Sequence, residues 1–372
     1  MKVPLADLHA QYLQLKPDID AAIADILATS QFILGKAVAN FERSFADAHG
    51  VKHCVAVGSG TDALHVPLWA LGVGRGDAVA TVPFTFIATL ESVSLLGATP
   101  LLVDIDPGTY TMDPTKLAEL LRSPKGKSVK AIMPVHLYGQ TAAMDEIGSI
   151  ARSHGIPIVE DACQAHLATY GGTYVGNFGA AAGFSFYPGK NLGAYGEAGG
   201  VLTNDDALAL RMRQLRDHGQ VEKYTHAFWG HNYRMDGIQG AVLGVKLKKL
   251  QEWTARRRAI ASIYRSGLAG VGDLSMPVEA PGCEHVYHLF VVRTRQRAAL
   301  QKFLSDWEIS TAVAYPIPLH LQEAYRHLGY RAGDFPVSEK AADEVLALPI
   351  HAELSEAQVK FVIEGARAFF AA

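Results

Sequence analysis

The stretch KAIMPVHLYGQTAAMDEIGSIARSHGIPIVEDA, residues 130–162, reads as strand, helix, strand. KAIMPVHL and IPIVEDA are short β-rich apolar runs, and MDEIGSIARSHG between them has apolar residues at helical spacing. The same alternation fills residues 51 to about 216. CVAV precedes TDALHVPLWALG, AVATVPF precedes FIATLESVSLLG, and TPLLVDI precedes PTKLAELLRS. Alternation of this kind predicts an α/β fold, with helices on both faces of a mostly parallel sheet. Ligands of such sheets bind beyond the carboxyl ends of the strands. Gly58-Ser59-Gly60-Thr61, Pro83–Phe86 and Asp161 fall at those ends.

The character changes after residue 235. GIQGAVLGVKLKKLQEWTARRRAIASIYRSGLAG, residues 237–270, is one long helical pattern with a basic second half, expected as a connecting helix into a smaller domain. That domain would hold the strand VYHLFVVRT (286–294) and the helices AALQKFLSDWE (298–308) and SEAQVKFVIEGARAFF (355–370). The expected division is a large domain over 1–250 and a small α+β domain over 251–372.

With 372 residues, 49% of them hydrophobic, the chain can bury a sizeable core. Thirty-four Lys+Arg against 37 Asp+Glu leave a formal charge of −3, which offers no field for nucleic acid. The three cysteines, Cys54, Cys163 and Cys283, are far apart in sequence and form no metal-ligand pattern. They read as small buried hydrophobes of a chain in a reducing compartment, expected to be the cytoplasm. Asp7 and His9 arrive before any apolar leader could form, so no secretory signal is expected. Residues 162–189 carry no charge, but their glycines and polar residues exclude a membrane helix; they are expected to wall a buried pocket.

Three local patterns carry chemistry. A glycine turn that opens a helix, Gly58-Ser59-Gly60-Thr61-Asp62, presents backbone N–H groups and a positive dipole end to an anion such as phosphate. As a local pattern it is equally a plain helix cap with Ser59 or Thr61. IPIVEDACQAH places Asp161 at the end of an apolar strand, where a carboxylate must be paired, solvated or used. A pyridinium nitrogen is one such partner, and a cap is the plain alternative. In FSFYPGKNLG, residues 184–193, Lys190 follows an aromatic strand in the uncharged region. Most lysines are solvated, but a desolvated one loses its proton readily and can form a Schiff base.

SGTDAL, PFTFIAT, VEDACQAH, FSFYPGKNLG and GHNYRMDGIQ, in that order, resemble the DegT/DnrJ/EryC1/StrS family of sugar aminotransferases. The resemblance runs from PLADLHAQY (4–12) through PLHLQEAYRHLGY (318–330) to the end. It implies the type I pyridoxal-phosphate (PLP) transferase fold, with a mostly parallel seven-stranded sheet, and a homodimer with shared active sites. By motif, Lys190 would hold the cofactor as a Schiff base and shuttle protons, Asp161 would pair the pyridine nitrogen, and Gln164 would contact the phenolic oxygen. Phe86 would stack on the ring, while Gly60, Thr61 and Ser185 would bind the phosphate. Asn232 would reach the phosphate in the neighbouring subunit. Tyr315, His320 and Gln322 are candidates for the sugar or nucleotide site, although many relatives carry His where this chain has Ala314.

The implied reaction takes an amino group from L-glutamate to a nucleotide-linked keto-sugar. Arg234-Met235-Asp236 and HGQVEKYTH are closer to relatives acting at C-3 than to those acting at C-4. UDP and dTDP stay open. Three other activities would leave different marks. A PLP-dependent sugar dehydratase would have histidine where Lys190 stands. A PLP-binding regulator would need a DNA-binding module that the sequence lacks. An amino-acid transaminase would clamp a carboxylate with an arginine, for which Arg293, Arg295 and Arg297 are candidates by location only.

Overall fold

The structure is a computed structural model, and it describes residues 1–371. Three N-terminal helices, α1 (Leu8–Thr29), α2 (Gly35–His49) and α3 (Gly60–Ala70), surround the start of the sheet. The strands are β1 (His53–Val57), β2 (Ala78–Thr81), β3 (Thr99–Leu102), β4 (Val129–Ile132), β5 (Val159–Asp161), β6 (Ala181–Ser185) and β7 (Gly199–Thr203). β3-β2-β4 pair in parallel, as do β5 and β6. Parallel bridges Ile132–Ile158 and Val135–Asp161 join these two halves. β7 pairs antiparallel with both β6 and β1. The spatial order is therefore β3-β2-β4-β5-β6-β7-β1, with β7 alone running against the rest.

Each β-rich run of the sequence contains a strand, and each helical pattern up to residue 155 contains a helix. Every residue of β2, β5, β6 and β7 is buried, as expected for a sheet covered on both faces. Alternation assigns the faces. Ala78 and Ala80 pack with Leu117, Leu121, Ile147 and Ala151 on one side, while Val79 packs with Leu64 and Leu68 of α3 on the other. Near β6, Phe41 and Phe45 of α2 meet Phe184 and Phe186 edge to face.

The expected connecting helix is two helices, Gly237–Leu247 and Leu250–Leu268. Leu250 and Trp253, at the start of the second, still pack with the cores of the first, and only its later turns serve another. Val242 of the first packs with Leu15 and Ile19 of α1, and Leu243 with Phe41 and Phe45 of α2. The second buries Ile260, Tyr264 and Leu268 with Phe290, Val292, Leu346 and Val359. The helix is interrupted at Lys248-Lys249. This second core holds the antiparallel strands Phe290–Arg293 and Val345–Leu348, helices Arg297–Asp306 and Glu356–Ala371, and Val3 from the other end of the chain.

The uncharged stretch is only partly buried. Residues 162, 164–166, 168–169 and 181–186 are buried, but Gly171 and Gly172, with φ of 57° and 77°, turn a tight hairpin into solvent. Cys54 and Cys283 are buried as expected, whereas Cys163 is half-buried and faces a cavity. Among the described residues, no helix is long and apolar enough to cross a membrane, and no group of acidic, His or Cys side chains forms a metal site.

Candidate active site

A cavity of about 540 Å³ lies where the carboxyl ends of β5 and β6 meet the start of α3. Ser59 caps α3 in an extended conformation, its hydroxyl accepting from the Asp62 N–H at 3.1 Å. The other first-turn N–H groups have no partner inside the helix. Ser185 ends β6 against this turn. A Cβ placed on Gly60 would lie 2.5 Å from the Ser185 Cβ, so only glycine lets strand and helix approach this closely. Gly60, Thr61 and Ser185 together form a small polar cup at a positive helix end.

Asp161 closes β5 and is 4% exposed. Its Oδ2 accepts from the Thr89 hydroxyl at 2.7 Å, and its Oδ1 from the Cys163 N–H at 3.2 Å. Both donors are neutral, so the negative charge is left facing the cavity. Lys190 lines the same cavity from a loop closed by Ala194 N–H to Phe186 C=O at 2.8 Å and Lys190 N–H to Tyr187 C=O at 2.8 Å. Burial of the amine among protein atoms pushes its pKa below the usual lysine range, against the opposing pull of Cys163 and Asp161.

Gln164 is 5% exposed and spans two elements. Its Oε1 accepts from the Tyr138 N–H at 2.8 Å, and its Nε2 donates to the Tyr315 hydroxyl at 2.9 Å. Phe86 lies at the mouth with its ring centre 6.1 Å from that of Tyr315. The cavity thus gathers Gly60, Thr61, Phe86, Asp161, Gln164, Ser185, Lys190 and Tyr315.

Three expected residues lie elsewhere. Asn232 is exposed and its Oδ1 accepts from Arg234 Nε at 2.9 Å. His320 is buried 3.0 Å from Glu339 with its ring against Phe335, a packing role. Gln322 leads a short helical turn, its N–H donating to Leu319 C=O at 3.2 Å. The three candidate arginines do not line the cavity either. Arg293 pairs with Glu344, Arg295 with Asp273, and Arg297 donates to the Ala342 carbonyl.

The cavity also contains Thr85, Thr89, Cys163, Tyr187 and Glu197, none of them given a site role by the motifs. A signal for Glu197 existed: it and Lys190 are the only charged residues between Asp161 and Asp205. Thr85 and Thr89 sit inside the PFTFIAT motif, but nothing local says that they turn toward Asp161. Beside the cup, burial raises Asp62 to about 6, with Ser59 opposing and Glu197 adding to the rise.

These residues suit PLP. The Gly60–Ser185 cup matches a phosphate, Asp161 is a buried carboxylate with an uncompensated charge for a ring N–H, and Lys190 offers a desolvated amine in the same cavity.

Comparison with known proteins agrees. The DegT/DnrJ/EryC1/StrS aminotransferase family model matches residues 14–367. A Geobacillus stearothermophilus protein named a pleiotropic regulatory protein is 46% identical over 100% of this chain and 99% of its own. The dTDP-3-amino-3,4,6-trideoxy-alpha-D-glucose transaminase of Streptomyces venezuelae is 43% identical, covering 98% of this chain and 96% of its own. The crystal structure of S. venezuelae DesV in complex with a ketimine intermediate superposes with a TM-score of 0.97 at 42% identity, covering 100% of this chain and 99% of that one. The chain belongs to the DegT/DnrJ/EryC1/StrS aminotransferase family.

Proposed function

We propose that this protein is a PLP-dependent aminotransferase that moves an amino group from L-glutamate to the 3-keto carbon of a nucleotide-linked hexose, giving a 3-amino sugar and 2-oxoglutarate. The observation that carries the reading is the meeting in one cavity of the desolvated Lys190, the buried Asp161 and the Gly60–Ser185 cup. The 3-amino-sugar activity named for the Streptomyces venezuelae relative supports the position on the sugar.

Bound PLP supplies an aldehyde and an electron-withdrawing ring. Lys190 would hold that aldehyde and then, as a free amine, carry a proton between the substrate carbon and the cofactor C4′; a pKa lowered by burial favours that role. Asp161 would keep the ring nitrogen protonated, Gln164 would meet the phenolic oxygen, and Phe86 would stack on the ring. Gly60, Thr61 and Ser185 would bind the phosphate. Tyr315 would face the sugar, consistent with its hydroxyl being aimed by Gln164.

The working unit would be a cytoplasmic homodimer in which Asn232, exposed and outside its own cavity, reaches the partner's phosphate. We place the domain boundary at residue 250, at the start of the helix Leu250–Leu268 whose later turns, from Ile260 on, build the second core. The test is to incubate the PLP-loaded protein with L-glutamate and, in parallel, UDP- and dTDP-linked 3-keto and 4-keto hexoses. Amino-sugar and 2-oxoglutarate should form with a 3-keto substrate. Turnover confined to 4-keto sugars would overturn the positional assignment, and no conversion of glutamate at all would overturn the donor.

A further inference from the structure

Behind Asp161 lies a short chain of hydroxyls. Thr89 Oγ1 is 2.7 Å from Asp161 Oδ2 and 2.9 Å from Thr85 Oγ1, and the threonines are 1% and 2% exposed. Counting protons fixes its direction. An ionised carboxylate only accepts, so the proton between Thr89 and Asp161 is the threonine's own. Thr89 has no second proton, so in its contact with Thr85 it accepts and Thr85 donates. The two residues are four apart across the turn that leads into helix Ala88–Ser94, which places them side by side.

We propose that Thr85 and Thr89 are positioning residues: a hydroxyl relay of fixed direction that holds the Asp161 carboxylate and sets how strongly it competes for the ring-nitrogen proton. This rests on the reading of Asp161 as the ring's partner. Thr89 takes up one lone pair of Oδ2 while the Cys163 N–H engages Oδ1, so the carboxylate cannot turn, and its remaining lone pairs face the cavity. A hydrogen bond to a charged acceptor in a dry site is stronger than a neutral one, and a donor behind the donor polarises it further. Losing Thr89's proton makes Asp161 more basic and free to rotate. The ring nitrogen then shares its proton more fully with the carboxylate and withdraws fewer electrons.

The experiment compares Thr89→Val, Thr89→Ser, Thr85→Val and Asp161→Asn with wild type, each loaded with PLP. Three quantities are read: the pH midpoint of the visible absorbance, the rate constant and half-saturation for conversion by L-glutamate, and Tm. Valine matches threonine in shape and puts a methyl where the hydroxyl stood. We expect Thr89→Val to move the midpoint upward by about half a pH unit and to slow conversion about tenfold, with half-saturation little changed. Thr89→Ser should restore both, and Thr85→Val should shift the midpoint the same way by less.

A wild-type midpoint and rate in Thr89→Val, or a failure of serine to rescue, overturns the relay even if Tm falls, because loss of packing alone would move only Tm. Should Thr89→Val not fold, a wild-type midpoint in Thr85→Val overturns it instead. Asp161→Asn separates the two claims: if it leaves the spectrum unchanged, the assignment of Asp161 itself fails. If it changes the spectrum while the threonine variants do not, only the relay fails.

Discussion

The floor of the cavity leaves Asp161 only 4% of its surface, with both carboxylate oxygens engaged, while at the mouth Phe86 and Tyr187 keep 55% and 54% of theirs. The floor is backed by further buried groups. Lys246, with no exposed surface, donates to the Gly193 carbonyl at 2.8 Å and so grips the loop that carries Lys190. Asn191 of that loop donates to the Val286 carbonyl at 3.1 Å. At the mouth the side chains rest on each other and on solvent. The contrast fits the division of labour proposed above: groups that hold and move protons need fixed geometry, whereas those that admit a substrate must leave room for it.

The largest expected effect tests the floor. Lys190→Ala should abolish the visible absorbance of the PLP-loaded protein and lower turnover by at least about a thousandfold, since a positioned acid/base group contributes roughly 10²–10⁴ by itself. Absorbance and steady-state rate check it, and a variant retaining both would end the case for Lys190.

The mouth should respond differently. Phe86→Ala should weaken PLP retention about tenfold, in line with the roughly 1–3 kcal/mol of an aromatic stack on a ring, and leave Tm almost unchanged because half the side chain is already in solvent. Equilibrium dialysis and thermal melts read the two quantities. A large fall in Tm would erase the distinction between floor and mouth.

The smallest effect lies behind the floor. Burial lowers Lys246 to about 8 from the ordinary 10.5. Below about 8 the lysine is charged in both folded and unfolded chains, and the full penalty of burying the ammonium weighs on the fold. Between about 8 and 10.5 the folded protein releases the proton first, so stability contributed by this group rises with pH. In urea melts at pH 7.5 and 10, wild type should therefore gain relative to Lys246→Met, which has no proton to lose. An equal response of both proteins would show that Lys246 does not titrate there.

Much of this was legible in one dimension. The strands around residues 54–57, 78–81, 99–102, 129–132 and 159–161 announced themselves because apolar runs and helical spacing are written within a few residues of one another. Asp161 and Lys190 stood out as charges in apolar surroundings, and the cavity contains both. The long pattern from 237 to 270 misled, because two helices with different partners join without a local stop signal. The place of His320 was not legible for a related reason: its buried bond to Glu339, away from the cavity, depends on a helix that follows it in the chain.

Local pattern in the chain dictates which segments become strands and helices, and it marks the strands' carboxyl ends, Asp161 and Lys190 as candidates for chemistry, which one cavity brings together. Long-range packing is what requires Gly60 to be glycine, because Ser185 presses on it, lets Thr89 donate to a carboxylate 72 positions away, and lets Gln164 aim a tyrosine 151 positions away. Periodicity and turn chemistry act over a few neighbouring residues, so a linear sequence displays them. A hydrogen bond between distant segments exists only after the sheet has stacked its strands in one order, and that order is set by the packing of the whole chain.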